Sequence, residues 1–217
     1  MCEISISIMK KILITGFFIL LLSCQDKKVL LPISSETIVA EVKDYSTINF
    51  FFKIENKDTL LVVNTKNSKN ASNWMFNIDK RLPLRKVILE VKKLQNKKSS
   101  SVHKKVTSEN YFTYTDTVKK TMAFMPFSRI NFRLEKPDFN LVCFHLDRND
   151  LVHYNEMVFS KGQILEFINK LPKNSIIYFS FDKGMSFGKF TEYNFFIKNL
   201  KIDKKDIKIY QNLKYIY

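Results

Sequence analysis

The stretch from Lys170 to Leu200 (KLPKNSIIYFSFDKGMSFGKFTEYNFFIKNL) leaves this chain few folds to choose from. Leu171-Pro172 ends a helix, because proline lacks the amide hydrogen and its ring clashes with the preceding turn. Ile176 to Phe181 is a β-branched and aromatic run of strand length. Asp182-Lys183-Gly184 is turn chemistry. Ser186 then caps a helix that carries Phe190, Tyr193, Ile197 and Leu200 on one face. A helix, a strand, a turn and a helix in immediate succession require a sheet with helices packed on it. The expected class is α/β (α+β), a two-layer sheet–helix sandwich.

The rest of the chain supplies partners for that sheet. Ile48 to Ile54 reads as a strand, with Leu60 to Asn64 its hairpin partner across Asn56-Lys57-Asp58. Glu36 to Asp44 fits a short helix and a strand equally, Asn64 to Asn73 is a polar loop, and Trp74 to Ile78 is a short strand. Asp79-Lys80-Arg81-Leu82-Pro83 turns into a helix with Leu84, Val87, Ile88, Val91 and Leu94 at helical spacing and Pro83 at its first position. Asn96 to Lys105 is a basic, serine-rich linker with His103 facing solvent. Thr107 to Met122 is expected to be helical, with Tyr111, Tyr114, Val118 and Met122 on one side and Pro126 ending it. Ile130, Phe132 and Leu134 alternate as a strand. Leu141 to Asp147 and Leu151 to Tyr154 form a hairpin across Arg148-Asn149-Asp150, with Val142, Phe144 and Leu146 toward the core. Ser160-Lys161-Gly162-Gln163 is a capping box opening a helix through Ile164, Leu165, Ile168 and Leu171. Asp206 to Tyr210 closes the chain as a strand.

The 217 residues are enough for one or two small domains, and 45% hydrophobic content argues against disorder. Only 4 glycines occur, which nearly excludes phosphate-cradling glycine loops. A formal net charge of +15 invites a nucleic-acid reading, but the N-terminus argues for export. Lys10-Lys11 precede an apolar run from Ile12 to Leu22, too short for the ~20 residues that span a bilayer. Leu21-Leu22-Ser23-Cys24 follows. A basic segment, a short apolar core and a small residue before the cut describe a secretory signal, with Met9 the expected start. The tetrapeptide resembles the lipobox of bacterial lipoproteins, which implies that Cys24 is the lipidated mature N-terminus. Cleavage would remove Cys2 and leave Cys143 without an intramolecular partner, so no disulfide framework is expected. Losing Glu3, Lys10 and Lys11 lowers the net charge by one, to +14. Such a surface meets lipid headgroups, glycans and cell wall rather than nucleic acid. The expected organisation is a signal peptide over 1–23, a tether over 24–35, an N-terminal α/β module over 36–95, a basic linker plus helix and strand over 96–138, and a β-β-α-β-α-β module over 139–217.

That last order, with Ile176 to Ser180, Asp182-Lys183, and Phe187-Gly188-Lys189 at its turns, resembles the periplasmic domain of the ExbD/TolR family. The resemblance covers about a third of the chain. It implies a folded module that pairs with itself and with envelope partners. The family's membrane-spanning helix with its proton-coupling aspartate has no counterpart between Ile12 and Leu22, so that role is not carried over. Asp79 to Val87 echoes Asp182 to Phe190 at a constant offset of 103 residues, which suggests a degenerate tandem duplication.

Two groups of side chains stand out as site candidates. Asp182, Lys183, Gly188 and Lys189 form a turn for which a structural or interaction role is expected, the carboxylate accepting turn amides. Cys143, His145 and Asp147 alternate onto one strand face with His153 opposite His145. They resemble metal ligands weakly, because ligands along one flat strand diverge where zinc needs them to converge. No metal, no cofactor and no catalytic residue are expected. The reading is a lipid-anchored cell-envelope protein, in the periplasm and sorted to the outer membrane. It would be a non-catalytic interaction or scaffolding module binding peptidoglycan or an envelope transport or motor complex, with a homodimer as a further partner. The alternatives are an accessory subunit of ExbD/TolR-type proton-driven biopolymer transport and a cryptic envelope hydrolase.

Overall fold

A computed structural model of the protein describes residues 28–102, 107–202 and 206–217. It is a mixed α/β structure of two six-stranded sheets with helices packed on them, as expected of the class. In the first half, β1 (Ile33–Ser34) is followed by β2 (Tyr45–Glu55), β3 (Asp58–Asn64), β4 (Asn73–Ile78), α1 (Leu84–Ser99), β5 (Asn110–Asp116) and β6 (Thr121–Pro126). In the second come β7 (Asn131–Arg133), β8 (Val142–Leu146), β9 (Leu151–Tyr154), β10 (Met157–Ser160), a short 3-10 turn, α2 (Ile164–Lys170), β11 (Ile176–Phe181), α3 (Phe187–Lys198) and β12 (Lys208–Ile216).

The two sheets share one topology. Their central orders are β3-β2-β4-β5 and β9-β8-β11-β12. Each begins with an antiparallel hairpin and continues through parallel pairs, the last of them joined by a crossover helix, α1 or α3. The β3–β4 connection is a loop, whereas the corresponding connection in the second half carries β10 and α2. Local chemistry sets the corners. Asn56 and Lys57 adopt positive φ in the β2–β3 hairpin, the left-handed conformation its two-residue turn requires. Gln163 and Ser160 complete the capping box, and Ser186 Oγ accepts from Lys189 N at 3.2 Å.

Several segments depart from the pattern read in sequence. Thr107 to Met122 is no helix: β5 and β6 are antiparallel neighbours across a turn in which Asp116 Oδ1 accepts from Val118 N and Lys119 N. Tyr111 and Tyr114 fit helical spacing, but Phe112 and Tyr114 also alternate, and pairing with β4 decides for the sheet. α1 runs through the polar residues to Ser99, because Lys98 has a buried site waiting for it. Pro83 is the extended N-cap and not the first helical residue. Glu36 to Asp44 is neither helix nor regular strand, and is held to the sheet by the Val39–Phe124 bridge and by hydrogen bonds to Tyr114 of β5 and Asn73 of β4. β10 follows a turn at Asn155 that the sequence did not announce. Residues 1–23, Cys24 and His103 lie outside the described residues.

One hydrophobic cluster runs through both halves, from Ile48 and Trp74 to Phe181 and Ile216. α3 is packed between the sheets: Phe187 and Phe195 meet Phe112 and Tyr114 of the first, and Phe190 and Tyr193 meet Phe181 of the second. The helix starts touch in a reciprocal way. Leu84 N donates to Met185 O at 2.8 Å and Phe187 N to Leu82 O at 2.8 Å. Arg85 N donates to Lys183 O at 3.1 Å and Gly188 N to Lys80 O at 2.9 Å. Each bond maps onto its mate by the 103-residue offset, around the Pro83–Ser186 bridge.

Gly188 permits this approach. A Cβ there would lie 3.0 Å from Lys80 Cβ and 3.2 Å from Lys80 O, against backbone that cannot swing aside. We expect Gly188→Ala to lower stability by about 1–3 kcal/mol, as overpacking does. A urea melt within 0.3 kcal/mol of wild type would show that the two halves are not held this closely.

Candidate functional site

The aspartates that open the two helices sit in matching settings. Asp182 Oδ1 accepts from Gly184 N at 2.6 Å, and Asp79 Oδ1 accepts from Arg81 N at 3.0 Å, the same i to i+2 turn. Each carboxylate is gripped by an arginine fork. Arg81 Nε and Nη2 donate to Asp79 at 2.9 and 2.8 Å, and Arg148 Nε and Nη2 donate to Asp182 at 2.8 and 3.0 Å. Arg81 is the i+2 residue itself. At the equivalent position the second half has Gly184, and a Cβ there would fall 2.5 Å from Arg148 Nη2. The Arg148 guanidinium, brought from the β8–β9 turn, thus occupies the space that a side chain at 184 would take. Burial alone would raise both carboxyls. The arginine forks and turn amides, joined at Asp79 by Leu30 N, outweigh it and hold them below the ordinary aspartate range.

The neighbouring candidates are engaged as well. Lys183 gives its carbonyl to Arg85 N, and its own N–H to Tyr217 O at 3.0 Å. Lys189 Nζ lies 2.6 Å from an Asp150 carboxylate oxygen and 3.3 Å from Glu192. Gly188 and Lys189 border a shallow cleft of about 560 Å³ with Pro32, Lys80 and Arg81.

The Cys143–His145 face is the outer face of the second sheet. β8 pairs with β11 in parallel, which sets Tyr178 beside Cys143 and Ser180 beside His145. Ser180 sits among them: its hydroxyl lies 3.1 Å from His145 Nδ1, and the Tyr217 ring packs on His145 at 4.6 Å between centres. His153 stands opposite His145, as the hairpin predicts, but its Nε2 goes to Asp147 Oδ2 at 3.1 Å. Asp147 is further occupied by Asn149 N and Leu151 N. Among the described residues no group of three His, Cys, Asp or Glu is placed to hold a metal ion. Burial pushes the Cys143 thiol up to about 11, away from the nucleophilic thiolate. Burial, and then His153, hold His145 below its ordinary value. Ser180 is 0% exposed, so no acyl carbonyl reaches its oxygen from solvent.

Three participants were not singled out in the sequence: Ser180, Arg148 and Lys214. The last lines a cavity of about 510 Å³ between α3, the β6–β7 connection and β12. The alternation Lys214-Tyr215-Ile216 carried the signal, since Lys214 shares its inward face with Ile216. No helix among the described residues is long and apolar enough to cross a membrane. No family model, curated protein or solved structure matches the chain.

Asp79 is buried outright and Asp182 only partly. We expect Asp182→Ala to cost about 1 kcal/mol, in the range of a lost cap. Asp79→Ala should cost about 2 kcal/mol, because the buried carboxylate accepts from Leu30 N, Arg81 N and the half-exposed Arg81 guanidinium, and all of these bonds are lost together. Asp182→Asn keeps an acceptor and should be milder than Asp182→Ala. Urea melts of the purified variants measure the series, and an unchanged Asp182→Ala melt would sink the structural role of this turn.

Proposed function

We propose that this chain is a lipid-anchored, non-catalytic protein of the bacterial cell envelope, acting as an interaction or scaffolding module for the cell wall or for a transport or motor complex. The envelope address rests on the lipobox resemblance of Leu21-Leu22-Ser23-Cys24, and one structural observation supports the non-catalytic part. Of the groups that sequence marks as chemically able, Asp182, His145 and His153 are tied to Arg148, Ser180 and Asp147, and burial keeps the Cys143 thiol protonated. A hydrolase needs a nucleophile and base that a substrate can reach, and Ser180, the hydroxyl beside His145, is fully buried.

A second reading, an accessory subunit of ExbD/TolR-type transport, draws on the order β8, β9, α2, β11, α3, β12, here interrupted by β10. The matching topologies and the reciprocal helix-start bonds also favour a tandem duplication. In that view the two halves meet as a pair would, within one chain.

The anchor is tested by fractionation. Cys24→Ala should leave the membrane pellet after a salt wash, since lipid attachment contributes ~0.8 kcal/mol per buried CH₂. Retention in the pellet would refute the lipoprotein reading. The interaction role is tested by crosslinking intact protein in membranes and by co-sedimentation with purified peptidoglycan. A discrete, saturable partner is expected. Ester or peptide turnover that disappears in Ser180→Ala would replace the scaffold with the hydrolase.

A further inference from the structure

Among the described residues two lysines are buried, and their surroundings differ. Lys98 Nζ donates to Ser72 O at 3.0 Å and Asn110 Oδ1 at 3.1 Å, and lies 4.7 Å from the centre of the Trp74 ring. That ammonium is solvated by the fold. Lys214 is 6% exposed; no hydrogen bond or ion pair to its Nζ is formed among the described residues, and what solvent contact the ammonium keeps is through the cavity. Its ammonium lies 5.5 Å from the centre of the Phe181 ring and faces the cavity instead.

A largely buried ammonium that no protein group pairs is costly, and an apolar residue of similar length would stabilise this site better. A lysine placed so is explained by an anion that comes to it. The cavity has the size and character of a small-molecule site. Its floor is apolar, from the buried Met125, Phe127 and Ile197. Its mouth carries the exposed Arg129 and Lys198, the latter paired with Glu36, and Glu109 is the one acid among its lining residues. The balance is cationic. A single deep ammonium suits one carboxylate, whereas a phosphate dianion calls for several converging donors. The apolar walls call for an apolar body.

We propose that this cavity binds a small amphipathic anion, an apolar chain ending in one carboxylate, with Lys214 as the counter-charge. The idea does not depend on the interaction role argued above. Burial lowers the Lys214 ammonium to about 8, and an anion in place would raise it again. The other charged or titratable groups facing the cavity are Arg129 from the β6–β7 connection, Lys198 from α3, and Glu109 and Tyr111 at the edge of β5.

The test is isothermal titration of the purified full chain, free of detergent, with octanoate, octanol and octyl phosphate. We expect one octanoate per chain and at least tenfold weaker octanol. Octanoate affinity should fall about tenfold per pH unit above about 8, as the ammonium loses its proton. Lys214→Met should fold, melt higher than wild type and lose at least tenfold in octanoate affinity. Ile130→Trp keeps Lys214 and fills the cavity, and should lose binding as well. Octyl phosphate binding tighter than octanoate would overturn the carboxylate assignment in favour of a lipid headgroup. Absent saturable binding, equal affinity for octanol, or an unaffected Lys214→Met would overturn the site itself.

Discussion

The structure depends on four backbone hydrogen bonds at the starts of α1 and α3. The first amides of any helix have no partner within it. Pro83 offers α1 no side-chain cap, so Leu84 N and Arg85 N would be left bare. They are taken by Met185 O and Lys183 O, in the turn that opens α3, while Phe187 N and Gly188 N are taken by Leu82 O and Lys80 O. Each helix start is therefore capped by the other half of the molecule. An unmet buried amide costs ~1–3 kcal/mol, so neither half has a complete helix start without its partner. The continuous core follows from the same contact, because it fixes α3 where both sheets can close on it.

That contact also explains the order of the turns. The carbonyls of Lys80 and Lys183 must point across the junction, and the aspartate before each of them fixes its turn by accepting the amide two residues on. The two halves satisfy the guanidinium requirement differently. The first uses Arg81 in the turn itself. The second leaves position 184 as glycine and imports Arg148 from the hairpin across the sheet. A glycine chosen for turn chemistry thereby becomes the space a distant arginine fills, which ties β8–β9 to the helix junction.

Much of this was legible because it is local. The strand before Asp182, the Ser186 cap, the capping box at Ser160 and the hairpins at Asn56 and Asp150 are decided by residues within a few positions of one another. What failed was decided at a distance. Phe112, Tyr114 and Thr113 carry strand propensity inside a helical spacing, and only β4 on one side and β6 on the other settle the matter. Asn96 to Ser99 look like linker until Trp74 and Asn110 provide a place for Lys98. The outer-face cluster was half visible. Alternation puts Cys143 and His145 on one side, but Ser180 stands between them through a parallel register that no local pattern encodes.

The same division separates polar groups that hold the fold from one that does not. Buried Asp79 and Ser180, and half-buried Asp182, answer a donor or acceptor elsewhere in the chain, so their burial is explained by the fold they complete. Lys214 is different. The register of β12 against β11 shifts between Ile177 and Phe179, and beyond that irregularity Lys214 shares the inner face with Ile216. Strand geometry thus forces a cation into the space under α3, and the described fold supplies only an aromatic ring to meet it. A fold selected for stability alone would replace that lysine with an apolar residue. Among the described residues, buried oxygens of Asn77, Thr113 and Asn169 also lack a partner, but they are neutral, and Lys214 brings a charge. That charge, set at a cavity, is the physical reason to look for chemistry there rather than at Ser180, which is buried, and His145 beside it.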